Sequence, residues 1–206
     1  MSGTTTPQYG EYIGVESLYY ALVTADTDSA YTAGSPVYLA PAANVAADPS
    51  VSTKVRHYDN KAYFSTTTEG ETKVTMSVSG LPLDVAATLL GRHYDSTAKR
   101  LYDTGDGTKA PYVALGFKAN VEGGAKFFWY LKGKFAPFKE EAQTVTTDIN
   151  EKTTSLEFTA IQTVHSKFNV NSVASALKRV VGDNRTDNTI TDASWFGSVQ
   201  FPADVT

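Results

Sequence analysis

Along most of this chain the hydrophobic residues recur with period two, the spacing of β-strands rather than of helices. Between residues 12 and 24, Leu18, Tyr20 and Leu22 occupy even positions while Tyr19, Ala21 and Val23 occupy odd ones. All six are fairly apolar, which predicts a strand covered on both faces. A polar loop is expected over 25–36 and a short strand over 37–40. From 44 to 56, Val45, Ala47, Val51 and Val55 point one way, and Asn44, Asp48, Ser52, Lys54 and Arg56 the other. Pro49 cannot donate a ladder hydrogen bond, so an edge strand or a break is expected there. Residues 57–70 read as a polar loop carrying three aromatics, Tyr58, Tyr63 and Phe64. Alternation resumes over 72–79 with Val74, Met76 and Val78 on one face.

The period changes once within the first half. Leu83, Ala86, Ala87 and Leu90 form a stripe at helical spacing, with Pro82 suited to the first turn and Gly91 to a left-handed cap. Residues 103–109 predict a tight turn. Two strongly β-forming runs follow, 112–118 and 126–135, flanking Glu122-Gly123-Gly124, which predicts a long hairpin. Its second arm carries Phe127, Phe128, Trp129 and Tyr130 in succession, so large rings point to both faces. Either a second layer or another subunit must cover the outer one. A carbohydrate-binding platform would instead need all the rings on one face, and alternation sends only half of them there. A last strand is expected over 153–162. Beyond it, Val173, Ala176, Leu177, Val180 and Val181 have helical spacing, and Asp192 opens a short helical turn containing Trp195 and Phe196. The expected fold is mainly β: a β-sandwich or barrel with one flanking helix. An extended N-terminal arm (1–10), a long inter-strand loop and a partly helical C-terminal extension complete it. The expected division is a sandwich domain over 1–168 and an extension over 169–206.

Composition narrows the function. At 206 residues the chain is long enough to bury a core. Only 19% of residues are charged while 12% are aromatic, which suits an all-β protein. The net charge of -4 disfavours a binder that grips nucleic-acid phosphates. No apolar run is long enough to span a bilayer, and the first residues lack a secretory pattern, so a soluble protein made in the cytoplasm is expected. The absence of Cys removes disulfides and thiolate chemistry.

Candidate chemical groups are sparse. His57, His93 and His165 lie far apart, although two belong to the repeated tetrapeptides Arg56-His57-Tyr58-Asp59 and Arg92-His93-Tyr94-Asp95. Asp103 and Asp106 suggest part of a calcium loop, but its remaining ligands are missing and an Asp-Gly turn accounts for them. Glu140 and Glu141, adjacent on an extended segment, point to opposite sides and do not converge on one bond. No catalytic residue, cofactor or metal site is expected.

The segments APYVALGF, the aromatic strand and LKGKF, together with IGVESLYYALV, YTAGSPVYL, SGLPLDVAATLLG, KFAPFKEE and TTSLEFTAI, cover roughly residues 13–168. In that combination the chain resembles the major tail proteins (tail tube proteins) of long-tailed, non-contractile bacteriophages, the phi13-type family. The resemblance implies a structural virion protein of β-sandwich fold. Six copies would close into a ring, and rings would stack into the tube that conducts DNA to the host cell. It implies as partners further copies of the chain, the tape measure, tail terminator and distal tail proteins, and DNA that passes without specific binding. No membrane insertion follows from it. About 24 strands at ~4.8 Å spacing give a backbone diameter of at least ~37 Å, enough for one duplex. The resemblance also implies that the loop between the second and third long strands reaches the next ring. Tyr58, Asp59, Asn60, Lys61, Tyr63 and Phe64 are then the candidate stacking residues, and Phe127, Phe128, Trp129 and Tyr130 the candidate core or interface residues of the hairpin. The alternative reading is a β-sandwich carbohydrate-binding or adhesion module.

Overall fold

A computed structural model describes residues 9–139 and 153–205. The chain is mainly β, with a large antiparallel sheet, one main helix and a sandwich- or barrel-like curl. In order, the elements are β1 (Tyr12–Thr27), β2 (Ala30–Ala33), β3 (Val37–Tyr38), β4 (Ala42–Tyr58), β5 (Lys61–Val78), α1 (Leu83–Leu90), β6 (His93–Asp95) and β7 (Arg100–Tyr102). There follow β8 (Val113–Val121), β9 (Gly124–Phe135), β10 (Thr154–Ala160), β11 (Phe168–Val170), β12 (Val173–Ser175), β13 (Arg179–Asp183) and α2 (Asp192–Phe196). The main path through the sheet runs β2-β1-β8-β9-β10-β5-β4. The second edge of β9 is shared: β13 pairs with Lys126–Tyr130 and β10 with Gly133–Phe135.

The sheet has a core on each side. Toward β4, β5 and β10, Leu18, Tyr20, Leu115, Phe117 and Tyr130 pack on Val74, Met76, Val78, Leu156 and Phe158. Leu89 and Leu90 of α1 close this core. The apolar stripe of α1 is buried at Ala86, Ala87 and Leu90, whereas Leu83 is exposed. Gly91 takes φ 64° as the left-handed cap, and a Cβ there would lie 2.1 Å from the Lys109 carbonyl oxygen. On the opposite face, Ala21, Phe127, Trp129 and Leu131 pack on Phe168, Trp195, Phe196 and Val199. The two-faced strands β1 and β9 are thus explained within one chain: the second layer over β9 is the chain's own C-terminal segment. Gly116 makes room for it. On β8 beneath Trp129, any side chain would meet the indole at 2.8 Å.

Several elements differ from the sequence reading. The long inter-strand loop expected over 57–70 is instead the tip and outer half of the β4–β5 hairpin, in which only Asp59 and Asn60 are turn residues. Part of the loop expected over 25–36 is strand, because Asp28-Ser29 turns β1 back into β2. The helical spacing over 173–181 is overridden by strand pairing of β12 with β11 and of β13 with β9. The short helix opened by Asp192 is present as α2. It carries a capping box between Thr191 and Ser194. The expected N-terminal arm falls almost wholly outside the described residues.

Candidate assembly surfaces

Past Pro49 the β4–β5 hairpin leaves the body of the protein. Every residue from 50 to 71 is exposed, on both faces of the ribbon. Eight paired positions, from Val51↔Glu69 to Tyr58↔Lys61, make a two-stranded arm about 25 Å long. Pairing shifts register where Pro49 and Val51 meet β5, so the ladder breaks where the arm departs. At the base, Lys178 donates to Glu69, to the Gly70 carbonyl at 2.8 Å and to Thr72 at 3.2 Å.

The tip is built for aromatic display. Asp59 and Asn60 take φ 48° and 62°, the positive pair that a two-residue hairpin turn demands. A second register shift leaves Tyr63 unpaired between the Arg56↔Phe64 and His57↔Ala62 pairs. Such a bulge re-aims neighbouring side chains. The Tyr63 and Phe64 rings come to 5.0 Å, and both meet the Tyr58 ring edge-on, at 6.2 and 6.1 Å. Tyr58, Tyr63 and Phe64 are 52%, 70% and 57% exposed, and the nearby side chains are basic at Lys54, Arg56 and Lys61 but acidic at Asp59. All six candidate stacking residues therefore lie at one end of one ribbon.

The hairpin candidates lie inward. Phe127, Trp129 and Tyr130 are buried within the chain, and Phe128 is half-buried, stacked on Phe117 at 4.8 Å. Phe117 and Phe128 line an apolar cleft of about 440 Å³ together with Val15, Val45, Ala119 and Tyr130. The cleft opens where β1 and β4 approach each other without a hydrogen-bonded ladder. Among the described residues, β4 pairs only with β5, and β1 before Leu18 pairs only with β8. Two strand edges thus flank the opening, a site that sequence reasoning did not identify because its walls come from distant segments.

The titratable candidates are dispersed. His57 sits on the arm, and His93 on β6 stacks on Tyr102. His165 is buried, with Nε2 2.7 Å from Asp204 and Nδ1 3.3 Å from the Thr27 carbonyl. The first repeated tetrapeptide runs from the end of β4 into the hairpin turn, whereas the second covers β6 up to its last residue, Asp95, which accepts from the Thr97 and Ala98 amides. Asp103 and Asp106 likewise cap local turns. Glu140 and Glu141 lie outside the described residues. Among the described residues no cluster of three His, Cys, Asp or Glu side chains could hold a metal, and no helix is long and apolar enough to cross a membrane.

Two polar clusters fasten the C-terminal half to the sheet. Lys118 reaches Glu16 at 2.8 Å and Asp192 of α2 at 3.1 Å. Burial would lower the Lys118 pKa, but the two carboxylates outweigh it and raise it. Lys132 and Asp26 form an ion pair with side chains 7% and 5% exposed. Burial pushes the Asp26 carboxyl up. The Lys132 ammonium and the amides of Val164 and His165 prevail, holding it below its ordinary value. A depressed folded pKa contributes stability above the unfolded value of about 3.9, lost as pH falls through the folded pKa. Asp26→Asn is expected to cost about 3–5 kcal/mol at pH 7, because it strands a buried ammonium. It should also flatten the acid limb of a plot of stability against pH. Denaturant titrations from pH 7 to pH 3 check both effects.

No protein-family model matches this chain, and no curated protein matches it.

Proposed function

We propose that this chain is a tail tube subunit of a long-tailed, non-contractile bacteriophage, forming hexameric rings that stack into a DNA-conducting tube. The observation that carries the proposal is the arm over residues 50–71. A two-stranded ribbon is marginal alone in water, and this one holds its aromatic cluster away from its own body. A surface of that composition is suited to docking. The open edges of β4 and β1 support the reading, since unpaired edges invite pairing unless a neighbour covers them. A heterologous contact around a ring leaves its two ends free to stack. The partners would be further copies of the chain, with tape measure, tail terminator and distal tail proteins inside and at the ends. The net charge of -4 suits a conduit from which DNA must slide freely. The carbohydrate-binding alternative loses its platform on β9, where Phe127 and Trp129 are buried under the C-terminal segment.

Electron microscopy and sedimentation of the purified chain test the proposal. Rings or tubes of even diameter are expected at high protein concentration. A chain that stays monomeric at every concentration, and also in the presence of preformed tail tips, overturns it.

A further inference from the structure

We infer that the cleft between β1 and β4 is the receptor for the aromatic arm tip of a second copy of this chain. The inference rests on the self-assembly reading above and specifies which surfaces meet.

The strand geometry decides whose tip can enter. Asn44, Val45 and Ala47 of β4 form one wall of the cleft, and the arm is the direct continuation of that strand. From Val45 to Tyr58 is thirteen residues, or about 43 Å of extended chain leading away from the cleft. A strand cannot return its own tip to its own root, so the occupant must come from another copy. The cleft has the capacity: about 440 Å³ falls in the range of pockets that enclose a drug-sized molecule. Its lining matches the tip in kind. The half-buried Phe128 presents a ring already stacked on Phe117, and edge-to-face or offset contacts with Tyr63 and Phe64 would extend that arrangement.

Charge agrees with the fit. Glu11 and Glu122 are exposed next to Tyr12, which lines the cleft, and are joined by a backbone hydrogen bond of 3.3 Å; Lys126, 5.4 Å over the Tyr12 ring, shares that neighbourhood without a salt bridge to either. Neither makes a salt bridge among the described residues, and Lys54, Arg56 and Lys61 on the arm make none either. Arg179 also lines the cleft, within electrostatic reach of Glu69 of its own chain, and would complement Asp59, the acid of a docked turn. Docking would bring Lys54, Arg56 and Lys61 of the arm toward Glu11 and Glu122 of the receiving copy. Because tip and cleft are different surfaces, each docked copy still offers one of each, and the contact propagates head to tail.

The chain has no Cys, so paired cysteines report the contact cleanly. Two variants, Tyr63→Cys and Val45→Cys, are purified separately, mixed and oxidised mildly. A disulfide between the two chains is expected to form about 10-fold or more faster than in a control mixture of Tyr63→Cys with Val170→Cys, since docking raises the effective concentration. Asn44→Cys at the rim repeats the test if Val45→Cys proves poorly folded by circular dichroism. Rings or tubes that form without either cross-link overturn the cleft assignment and leave the tail tube reading standing. Cross-linked chains without rings or tubes support the cleft and overturn that reading. A mixture that neither assembles nor cross-links overturns both.

Discussion

Removing residues 171–206 is expected to abolish cooperative folding. Over β9 that segment supplies the layer that buries Phe127, Trp129 and Leu131. β13 adds a five-residue ladder from Lys126 to Tyr130, and Trp129 Nε1 donates to the Trp195 carbonyl at 3.1 Å. Phe196 stacks on Tyr19 at 4.6 Å, so α2 is clamped to β1 as well as to β9. Trp195 and Phe196 are each 7% exposed, and truncating either to Ala is expected to cost about 3–5 kcal/mol. A domain has only about 5–15 kcal/mol to lose. Losing both rings together with β13 therefore exceeds what the remaining core can absorb. Chemical denaturation of Trp195→Ala and circular dichroism of the truncated chain check the two levels. A truncated chain with a cooperative transition near that of the intact protein would show that the segment is an ornament on an independent sandwich.

That outcome bears on the boundary that the sequence suggests at 168/169. Val173, Ala176, Leu177, Val180 and Val181 do recur at helical spacing, and the local feature against a helix is the Asn171-Ser172 turn, at φ 53° and 65°, that folds β12 back on β11. The preference is settled at a distance: β9 offers the free edge of Lys126–Tyr130, and three of the five residues are valine, which suits a strand. Periodicity cannot register a partner strand some fifty residues earlier. The β8–β9 hairpin was legible for the opposite reason, since Phe127, Phe128, Trp129 and Tyr130 fill two cores by simple alternation. The helix α1 was legible from Gly91, whose left-handed conformation ends it locally. The arm reads as a loop in sequence because its composition is polar. Its signals were the Asp59-Asn60 pair, suited to a two-residue turn, and the Ser65–Thr68 run of β-tolerant side chains. The cleft had no sequence signature, because Val15, Val45, Phe117 and Phe128 converge only when the sheet curls.

Replacing residues 51–69 by an Asn-Gly turn is expected to leave a folded subunit and eliminate tube growth. Joining Ser50 to Gly70 through that turn closes the hairpin where the pairing already breaks, and Asn-Gly supplies the positive φ values required. No side chain in the excised ribbon is buried, and although Glu69 leaves with it Lys178 keeps the Gly70 carbonyl and Thr72, so the global stability should fall by about 1 kcal/mol or less. Val74, Met76 and Val78, which do hold β5 to the core, lie beyond the cut. The effect on stacking should be total, since the aromatic cluster and Lys54, Arg56 and Lys61 leave together. Tyr63→Ser with Phe64→Ser in the full-length arm should reproduce most of that loss while keeping the ribbon's charge. Sedimentation velocity over a wide concentration range, paired with thermal melts, separates the two consequences. If the armless chain still forms tubes like those of the intact one, assembly runs through the edges of β1 and β4 alone. The ribbon would then owe its aromatic tip to some contact other than the next copy of the chain.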